Sequence, residues 1–467
     1  MPVNSFENYP MSWKPDKKQL VLPLYRSVAS LLEYDIINGF LAPNTKLPPQ
    51  RELADYLDIN LSTVTRAFKI CEVKGLIYAV TGRGTFVTPN VKNAIFMADS
   101  DEHKNYIEMG IIKPLDHTNS FVAQAIKSIA AKDYLENLLD YRHPLGMPYH
   151  RMAAKKWMQR FNMDAPIENI AITSGGQNSF SLILMSLFHP GDKIAVDIYT
   201  YPNFIELAKT MNIQLIPIEG DEQGMKPEKL EAVCRTNPLQ GIYLSPSCNN
   251  PTAVTMSMKR RKEIAEVINK HGLILIEDDV YSFLAPDGYY PISHFVPERF
   301  VYILSVAKSL SSGVRVAFIA YADQFVEKIT YGIFNLNVKT SALNAEIITE
   351  LINTGAAEQI IRKKREISQE RNEIYQKYFK IDDPSENPIS FFRWIPLHKE
   401  WQLNQFEHMA LSQGIHVYHS HRFLVKKDES PQFIRISLTS PKDSDELEKG
   451  LRILKRFLLE SEEVLRK

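Results

Sequence analysis

The chain contains the stretch Ser305-Val-Ala-Lys308-Ser-Leu-Ser-Ser-Gly313-Val-Arg315, which directly follows the apolar run Phe300–Leu304. The apolar run predicts a buried strand, so Lys308 lies just past a strand end. Small hydroxyl residues, a glycine and an arginine follow the lysine, and such groups can bind a phosphate dianion. A lysine amine beside a phosphate site is what a phosphorylated aldehyde cofactor requires, because the amine can form a Schiff base.

The sequence around this stretch alternates apolar strands with amphipathic helices from about residue 105 onward. Asn169–Thr173 precedes a helix from Gln177, and Lys193–Asp197 precedes a helix from Asn203. The alternation predicts an α/β fold with a mostly parallel sheet and helices on both faces.

Near residue 385 the pattern changes to that of a smaller C-terminal α+β subdomain. Three segments read as strands and one as a closing helix: Ser390–Pro396, Ile415–Tyr418, Phe433–Leu438 and Asp443–Glu460. We therefore expect a unit over 105–467, with a large domain at about 140–385 and a small subdomain at about 386–467.

Composition points to a globular protein of two or three domains. The 467 residues are 44% hydrophobic and 24% charged, with zero net charge, so nucleic-acid binding must be local. The three cysteines follow no metal-ligand spacing, which predicts a reducing compartment and no metal site. No leader is visible, and no apolar run approaches the roughly 20 residues that span a bilayer. We expect a cytoplasmic protein that does not bind membranes.

The first ninety residues predict a winged helix-turn-helix. Helical patterns at 23–39 and 46–57 are followed by a turn at 58–60 and a helix over Ser62–Lys74, which either Asn60 or Ser62 can cap. A hairpin with a glycine-rich tip, Thr81-Gly-Arg83-Gly84, follows as the wing.

A recognition helix presents its first turns to DNA. Residues 12–90 hold ten Lys/Arg against seven Asp/Glu, a local excess that favours salt-dependent DNA binding. The alternative is a helical module that docks on protein. The candidate DNA contacts are Arg51, Ser62, Thr63, Thr65, Arg66 and Arg83.

This segment resembles the winged-helix domain of GntR-type bacterial regulators. The matching motifs are Leu47-Pro-Pro-Gln-Arg51-Glu-Leu-Ala, Ser62-Thr63-Val64 and Gly82-Arg83-Gly84-Thr85-Phe86-Val87. Leu61 stands where the family often has an arginine, so the resemblance implies an operator but not its sequence. It also implies a DNA-binding domain at 12–88, followed by a polar linker at 89–104.

Two further motifs fit pyridoxal 5′-phosphate (PLP). Ser174-Gly175-Gly176-Gln177 follows a strand and opens a helix, where backbone N–H groups can bind phosphate, although glycine pairs often serve only as turns. Tyr201 follows the next strand and can stack on the cofactor ring, although a tyrosine before a proline is more often packing.

The stretch Ile274-Leu-Ile-Glu277-Asp278-Asp279-Val-Tyr281 places three acids at a strand's carboxyl end, where open α/β sheets bind ligands. A carboxylate there can keep the pyridine nitrogen of PLP protonated, and Tyr281 can donate to the phenolic oxygen. The alternative is a set of acids at a solvated strand end.

Three more residues complete the candidate site. Asn250 offers another donor to the phenolic oxygen, and Tyr141 lies upstream, where it can reach a phosphate. Arg435 lies within a predicted strand of the small subdomain and can bind a ligand carboxylate. A structural ion pair is the alternative for Arg435.

Taken in order, these motifs resemble fold-type I aminotransferases over about 105–467. The resemblance implies that Lys308 forms the internal aldimine and that Asp278 pairs with the pyridine nitrogen. It implies that Tyr141 reaches the phosphate of a neighbouring subunit in a dimer and that Arg435 takes an α-carboxylate. The other implied cofactor contacts are Asn250 and Tyr281 to the phenolic oxygen, Tyr201 to the ring, and Gly175, Gly176, Gln177, Ser305 and Arg315 to the phosphate.

Three positions depart from the pattern of that family. Ala253 stands where a glycine usually follows Asn-Pro-Thr, Ile198-Tyr199 replaces an acid and a proline, and Ser312 replaces a frequent proline. None of these departures removes a cofactor contact, but they leave catalytic competence and substrate open.

The two resemblances in this order are similar to the MocR subfamily of GntR regulators. The resemblance implies that the protein is a PLP-dependent transcription factor. It also implies that the protein forms a head-to-tail homodimer and binds a double-stranded DNA operator. Its effector would be an amine, an amino acid or PLP itself, sensed by aldimine exchange at Lys308. An active aminotransferase with an appended DNA-binding domain is the alternative, and a vestigial PLP site is a third interpretation. The sequence leaves enzymatic turnover open.

Overall fold

The computed structural model describes residues 11–17, 20, 22–37, 40–80, 82–88, 106–141, 143–380, 386–397, 403–426 and 431–465. The chain divides into two compact units, Met1–Lys104 and Asn105–Lys467. The predicted linker at 89–104 and Thr81 of the predicted wing tip lie outside the described residues. The proposed domain boundaries stay predictions.

The first unit is a three-helix winged helix with a core that includes Val28, Leu53 and Phe68. Its strands pair antiparallel from Ile77↔Val87 to Val80↔Gly84 and form the predicted hairpin. The elements are α1 (Leu24–Ile37), α2 (Gln50–Leu57), α3 (Leu61–Val73), β1 (Ile77–Val80) and β2 (Gly84–Val87).

Asn60 is the cap of α3, so the structure selects one of the two candidates. Its side-chain oxygen accepts a hydrogen bond from the backbone N–H of Ser62 at 2.8 Å, which satisfies one of the free donors of the helix start. The cap fixes where the first turn of α3 begins and therefore which side chains that turn exposes.

The second unit is built on a seven-stranded sheet in the order β4-β12-β11-β10-β9-β5-β6. Only β12 runs antiparallel to its neighbours; the other pairs within this sheet are parallel. The strands of the unit are β3 (Ile107–Glu108), β4 (Ile170–Thr173), β5 (Lys193–Asp197), β6 (Gln214–Ile218), β7 (Gly220–Asp221), β8 (Gly224–Met225), β9 (Gly241–Leu244), β10 (Ile274–Asp278), β11 (Phe300–Ser305), β12 (Ala317–Tyr321), β13 (Phe392–Pro396), β14 (Ile415–His416), β15 (Tyr418–His419) and β16 (Phe433–Ser437).

Every residue of β4, β9, β11 and β12 is buried, which explains their continuous apolar character.

Among the described residues, no helix is long and apolar enough to cross a membrane. The helices of the second unit are α4 (Asn119–Ala130), α5 (Pro148–Gln159), α6 (Gly176–Leu187), α7 (Pro202–Thr210), α8 (Pro227–Thr236), α9 (Met258–His271), α10 (Val306–Ser309), α11 (Val326–Asn337), α12 (Ala342–Asn353), α13 (Ala356–Gln376), α14 (Leu403–Ser412) and α15 (Ser444–Leu465).

A smaller three-stranded antiparallel sheet, β13-β16-β15, forms the C-terminal subdomain. The predicted α/β unit with a smaller α+β subdomain is therefore confirmed. The predicted strand Ile415–Tyr418 is instead two short strands, β14 and β15.

The first described residues of the second unit join this subdomain. β3 pairs in parallel with β14, through Ile107↔Ile415 and Glu108↔His416. Ile107 and Met109 are buried in the same core as residues of α14 and α15. The chain just after the predicted linker is thus part of the small subdomain, although the rest of that subdomain lies near the C-terminal end of the sequence.

Candidate functional site

Lys308 lies in the single turn α10, directly after β11. The Ser305 hydroxyl accepts a hydrogen bond from the backbone N–H of Ala307 at 3.4 Å and caps this turn. The Lys308 ammonium donates to the backbone carbonyl of Ile112 at 2.5 Å. Burial, then the charges of Arg435 and Lys364, lower the pKa of Lys308 to about 7. The amine is therefore available as a nucleophile near neutral pH.

A second buried lysine supports that turn. Lys364 of α13 donates to the backbone carbonyls of Lys308 at 3.0 Å and of Leu310 at 3.2 Å. Burial lowers the pKa of Lys364 to about 8. No sequence motif marks Lys364, because its partners are backbone atoms.

Asp278 ends β10 and is buried. It accepts a hydrogen bond from the Tyr243 hydroxyl at 3.0 Å, and burial raises the pKa of its carboxyl to about 7. Its two acidic neighbours are engaged elsewhere: Glu277 accepts from the backbone N–H groups of Ile292 and Ser293, and Asp279 accepts from the Tyr302 hydroxyl. Burial raises the pKa of all three acids, but the charge of Arg261 acts against this at Glu277 and Asp279. Asp278 is therefore the acid that gains most from a cationic ring nitrogen.

Tyr201 lies close to the charged groups of the site. Burial, then the charge of Asp278, raises the pKa of Tyr201 to about 12, while the charges of Arg435 and Arg315 lower it. Tyr281 is also buried, with its ring edge against Phe392 at a centroid distance of 5.4 Å. The structure therefore brings together these predicted residues from four separate stretches of chain.

The predicted phosphate groups converge at the start of α6. Gly175 has a φ of +93°, and a Cβ there would lie 2.7 Å from a terminal nitrogen of Arg315. A Cβ at Gly176 would lie 3.4 Å from the Cβ of Ser305. The side-chain oxygen of Gln177 is buried without a partner among the described residues. Glycine backbone at a helix N-terminus, an arginine and a hydroxyl form a cradle that fits a phosphate.

Arg435 on β16 reaches towards this site. Its guanidinium donates to the side-chain oxygen of Asn250 at 2.8 Å and to the backbone carbonyl of Gly110 at 2.5 Å. Both acceptors are neutral, so neither is a structural ion pair. The Nε atom is buried and unpaired within the described part of the chain, and burial lowers the pKa of Arg435 to about 10. These features fit an arginine that awaits an anion.

Tyr141 is 77% exposed, so it contributes nothing to the buried site of its own chain. Ala253 has a φ of +63°, the left-handed region that suits glycine, and its backbone N–H donates to the Asn249 carbonyl at 2.7 Å. The departure at Ala253 costs about 1–2 kcal/mol of strain and leaves the turn intact.

The predicted DNA contacts lie on α2, α3 and the wing. Thr63 is half-buried, and the others are exposed: Arg51, Ser62, Thr65, Arg66 and Arg83. The guanidinium of Arg66 lies 4.0 Å from the ring centre of Tyr25, and the Thr65 hydroxyl donates to the Gln50 side chain at 2.8 Å. Their roles on DNA stay predictions.

Two family models match the chain. Residues 104–454 match "Aminotransferase class I and II", and residues 24–87 match "Bacterial regulatory proteins, gntR family". The first match covers most of the chain, and the second covers the winged helix.

Two relatives of this chain carry the names of transcriptional regulators. The uncharacterized HTH-type transcriptional regulator YdeF of Bacillus subtilis is 37% identical over 98% of this chain and 99% of its own length. The vitamin B6 salvage pathway transcriptional repressor PtsJ of Salmonella typhimurium is 26% identical over 61% of this chain and 64% of its own length.

Among solved structures, the kynurenine aminotransferase of Pyrococcus horikoshii is similar with a TM-score of 0.70 and 22% identity, over 79% of this chain and 96% of that one. The multiple substrate aminotransferase of Thermococcus profundus has the same score and identity, over 80% and 98%. At this identity the likeness establishes the fold alone.

Proposed function

The chain belongs to the aminotransferase class I and II family and carries a GntR helix-turn-helix domain, a MocR-like architecture, and from this premise we propose how it works as a transcriptional regulator. Its cofactor is PLP. In the proposed function, the PLP-binding unit senses PLP or an amine or amino-acid effector through aldimine exchange at Lys308. The N-terminal unit binds a DNA operator.

The observation that carries this proposal is Lys308, with its lowered pKa, in the same site as the Gly175 phosphate cradle and the buried Asp278 carboxyl. PLP, when bound, supplies an aldehyde that amines attack and a ring that accepts electrons. Asp278 would hold its ring nitrogen, and the Gly175–Gln177 turn with Ser305 and Arg315 would hold its phosphate. Because the pKa of Lys308 is about 7, its amine is partly neutral at neutral pH. Its bond to PLP can therefore be released and formed again, as a reversible sensor needs.

An amino-acid effector suits the other end of the site. Arg435 has an unpaired buried Nε and two neutral acceptors, so a carboxylate would give it its first anionic partner among the described residues. A charge-assisted bond of this kind contributes about 1.5–3 kcal/mol. The vitamin B6 repressor among the relatives supports PLP itself as a second possible effector.

We infer a head-to-tail homodimer from the resemblance to fold-type I aminotransferases, which implies that Tyr141 reaches the phosphate of a neighbouring subunit. The Tyr141 side chain is 77% exposed in one chain, so its hydroxyl is accessible to the phosphate bound by a second chain. A two-fold assembly would also place two winged helices on two half-sites of one operator.

An active aminotransferase is the second candidate, because Lys308, the buried Asp278 and the Gly175 cradle would serve catalysis as well as sensing. A titration of the purified protein with L-amino acids, followed in the visible spectrum, separates the two functions. A regulator gives a stable spectral change that alters DNA binding. An aminotransferase would release one keto acid per site as the amino group passes to the cofactor, and would turn over once a second keto acid is added as the acceptor. Lys308→Ala should abolish the visible band, and Lys363→Ala, an exposed lysine of α13, should keep it. An unchanged spectrum in Lys308→Ala would refute the assignment.

A further inference from the structure

Lys308 and Arg435 both donate to the backbone of one short segment. The Lys308 ammonium donates to the Ile112 carbonyl at 2.5 Å, and the Arg435 guanidinium donates to the Gly110 carbonyl at 2.5 Å. The two carbonyls are two residues apart, and both are buried. The amine that an effector would displace from PLP and the guanidinium that would bind the effector carboxylate are thus both held by neighbouring points of the chain.

We call this stretch, residues 106–113, the sensing segment. It begins two residues after the predicted linker ends at 104. Its backbone is tied to the small subdomain: the N–H of Ile107 donates to the Gly414 carbonyl and the N–H of Met109 to the His416 carbonyl, both at 2.8 Å. Hydroxyls beyond β16 bind it as well, since Thr439 donates to the Lys113 carbonyl at 2.7 Å and Ser440 to the Ile111 carbonyl.

Resting on the proposed function, we propose that the sensing segment reads the two ends of the ligand separately. The Ile112 carbonyl keeps its hydrogen bond from Lys308 only while that amine is free. The Gly110 carbonyl keeps its hydrogen bond from Arg435 only while the guanidinium holds no carboxylate. Because the segment continues into the predicted linker, either change displaces the point from which the DNA-binding unit is tethered.

The atoms of Arg435 explain why a carboxylate would compete with Gly110. A carboxylate binds a guanidinium best through two parallel N–H groups. The unpaired Nε is one such group, and the adjacent terminal nitrogen on that edge of the guanidinium would have to serve as the other. That nitrogen is Nη2, which lies on the same edge as the Nε–H and donates to Gly110, whereas Nη1 donates to Asn250. A carboxylate on this edge therefore displaces the Gly110 carbonyl.

The segment would therefore distinguish classes of ligand. With PLP alone, the Lys308 amine is committed to the cofactor and the Ile112 carbonyl loses an ammonium donor, while Gly110 keeps Arg435. With PLP and an amino acid, the Lys308 amine is free again and Gly110 loses Arg435. With a simple amine, Lys308 is freed and Arg435 is left on Gly110, so both contacts persist.

Amide hydrogen exchange of the full-length protein tests this directly. Exchange of peptides covering 106–113 is compared in the apoprotein and after loading with PLP, with the visible band as proof of loading. Loss of one hydrogen bond of about 1 kcal/mol should raise exchange there about fivefold. In Lys308→Ala the apoprotein should already exchange faster, and PLP should add nothing.

The carboxylate end is tested in the apoprotein by Arg435→Ala, which should also raise exchange of the segment about fivefold. Arg422→Ala is the matched control: its guanidinium lies 4.6 Å from the Tyr418 ring centre, against 5.3 Å for Arg435, but it pairs with Glu407. Equal effects of the two arginine variants would refute a specific role for Gly110.

The result separates this inference from the proposed function. A visible band that forms while exchange at 106–113 stays constant overturns the sensing segment and leaves the PLP assignment standing. A band that never forms in the wild-type protein overturns the proposed function, and exchange in Arg435→Ala and Lys308→Ala still decides whether the segment depends on these two cations.

Discussion

The Lys364 ammonium lies 3.0 Å from the backbone carbonyl of Lys308, so one buried lysine holds the turn that carries another. Arg371, seven residues further along α13, donates to the backbone carbonyls of Leu438 at 2.6 Å and Pro441 at 2.9 Å, just beyond β16. One helix therefore connects the Lys308 turn with the strand that bears Arg435. A shift of the small subdomain should therefore move the Lys308 turn as well, because this helix is bonded to both.

Lys364→Met should move the pH dependence of PLP loading. Only a neutral Lys308 amine attacks the aldehyde, so loading of the wild-type apoprotein should rise with pH around a midpoint near 7. The Lys364 charge lowers the pKa of Lys308, so its removal raises that pKa and shifts the midpoint to higher pH. Stopped-flow absorbance measures the rate. Lys364→Arg keeps the charge and should keep the midpoint; an unchanged midpoint in Lys364→Met would contradict the prediction.

Gly175→Ala should weaken PLP binding about tenfold or more, since its Cβ would lie 2.7 Å from an Arg315 nitrogen in the phosphate cradle. Gly191→Ala is the matched control, because Gly191 has a φ of +95° but no atom within 4 Å of an added Cβ. Both variants should lose about 1–2 kcal/mol of stability from backbone strain. PLP titration and thermal melting separate the two effects, and equal PLP affinities would exclude the cradle.

Arg435→Ala should weaken the spectral response to L-amino acids about tenfold or more, as expected for loss of a charge-assisted pair. The response to amines without a carboxylate should stay within a factor of a few. Titrations with alanine and ethylamine, a pair that differs by the carboxylate, give the comparison. An unaltered response to alanine would indicate that the effector is PLP or a simple amine.

Arg66→Ala should weaken operator binding by about 1–3 kcal/mol if the guanidinium contacts a base through two hydrogen bonds. In the structure its guanidinium lies over the Tyr25 ring, which limits its freedom before DNA arrives. Gel-shift titration gives the affinity, and the visible band reports the PLP site. Arg66→Lys should recover binding if the partner is a phosphate but not if it is a base edge; loss of the PLP band as well would show that the two units are not separable.

Residues at strand ends were predictable because the pattern of the sequence fixes their surroundings. Asp278 and Lys308 each follow an apolar strand, and parallel strands deliver such residues to one edge of the sheet. The same reasoning places Gly175 and Tyr201 after β4 and β5. Local periodicity was therefore sufficient to place these residues at the ends of the strands, while their roles towards the cofactor stay predictions.

Contacts with backbone atoms were not predictable, because a carbonyl carries no signature of its residue type. The partners of Lys364 and Arg435 include the carbonyls of Lys308, Leu310 and Gly110. β3 has only two residues, too few to show a strand period. The pairing of this strand with the small subdomain therefore could not be predicted from the sequence. Tyr243 could have been found, since it lies in the strand next to that of Asp278.

The bonds from Lys308 to Ile112 and from Arg435 to Gly110 mean that a ligand must displace existing partners as it binds. The effector concentration needed for half-maximal response then depends on how firmly those partners are held, as well as on the fit of the effector. Thr439 and Ser440, which donate hydrogen bonds to the same stretch, set part of the strength with which it is held. Substitutions there offer selection a way to retune sensitivity without changing which molecule is recognised.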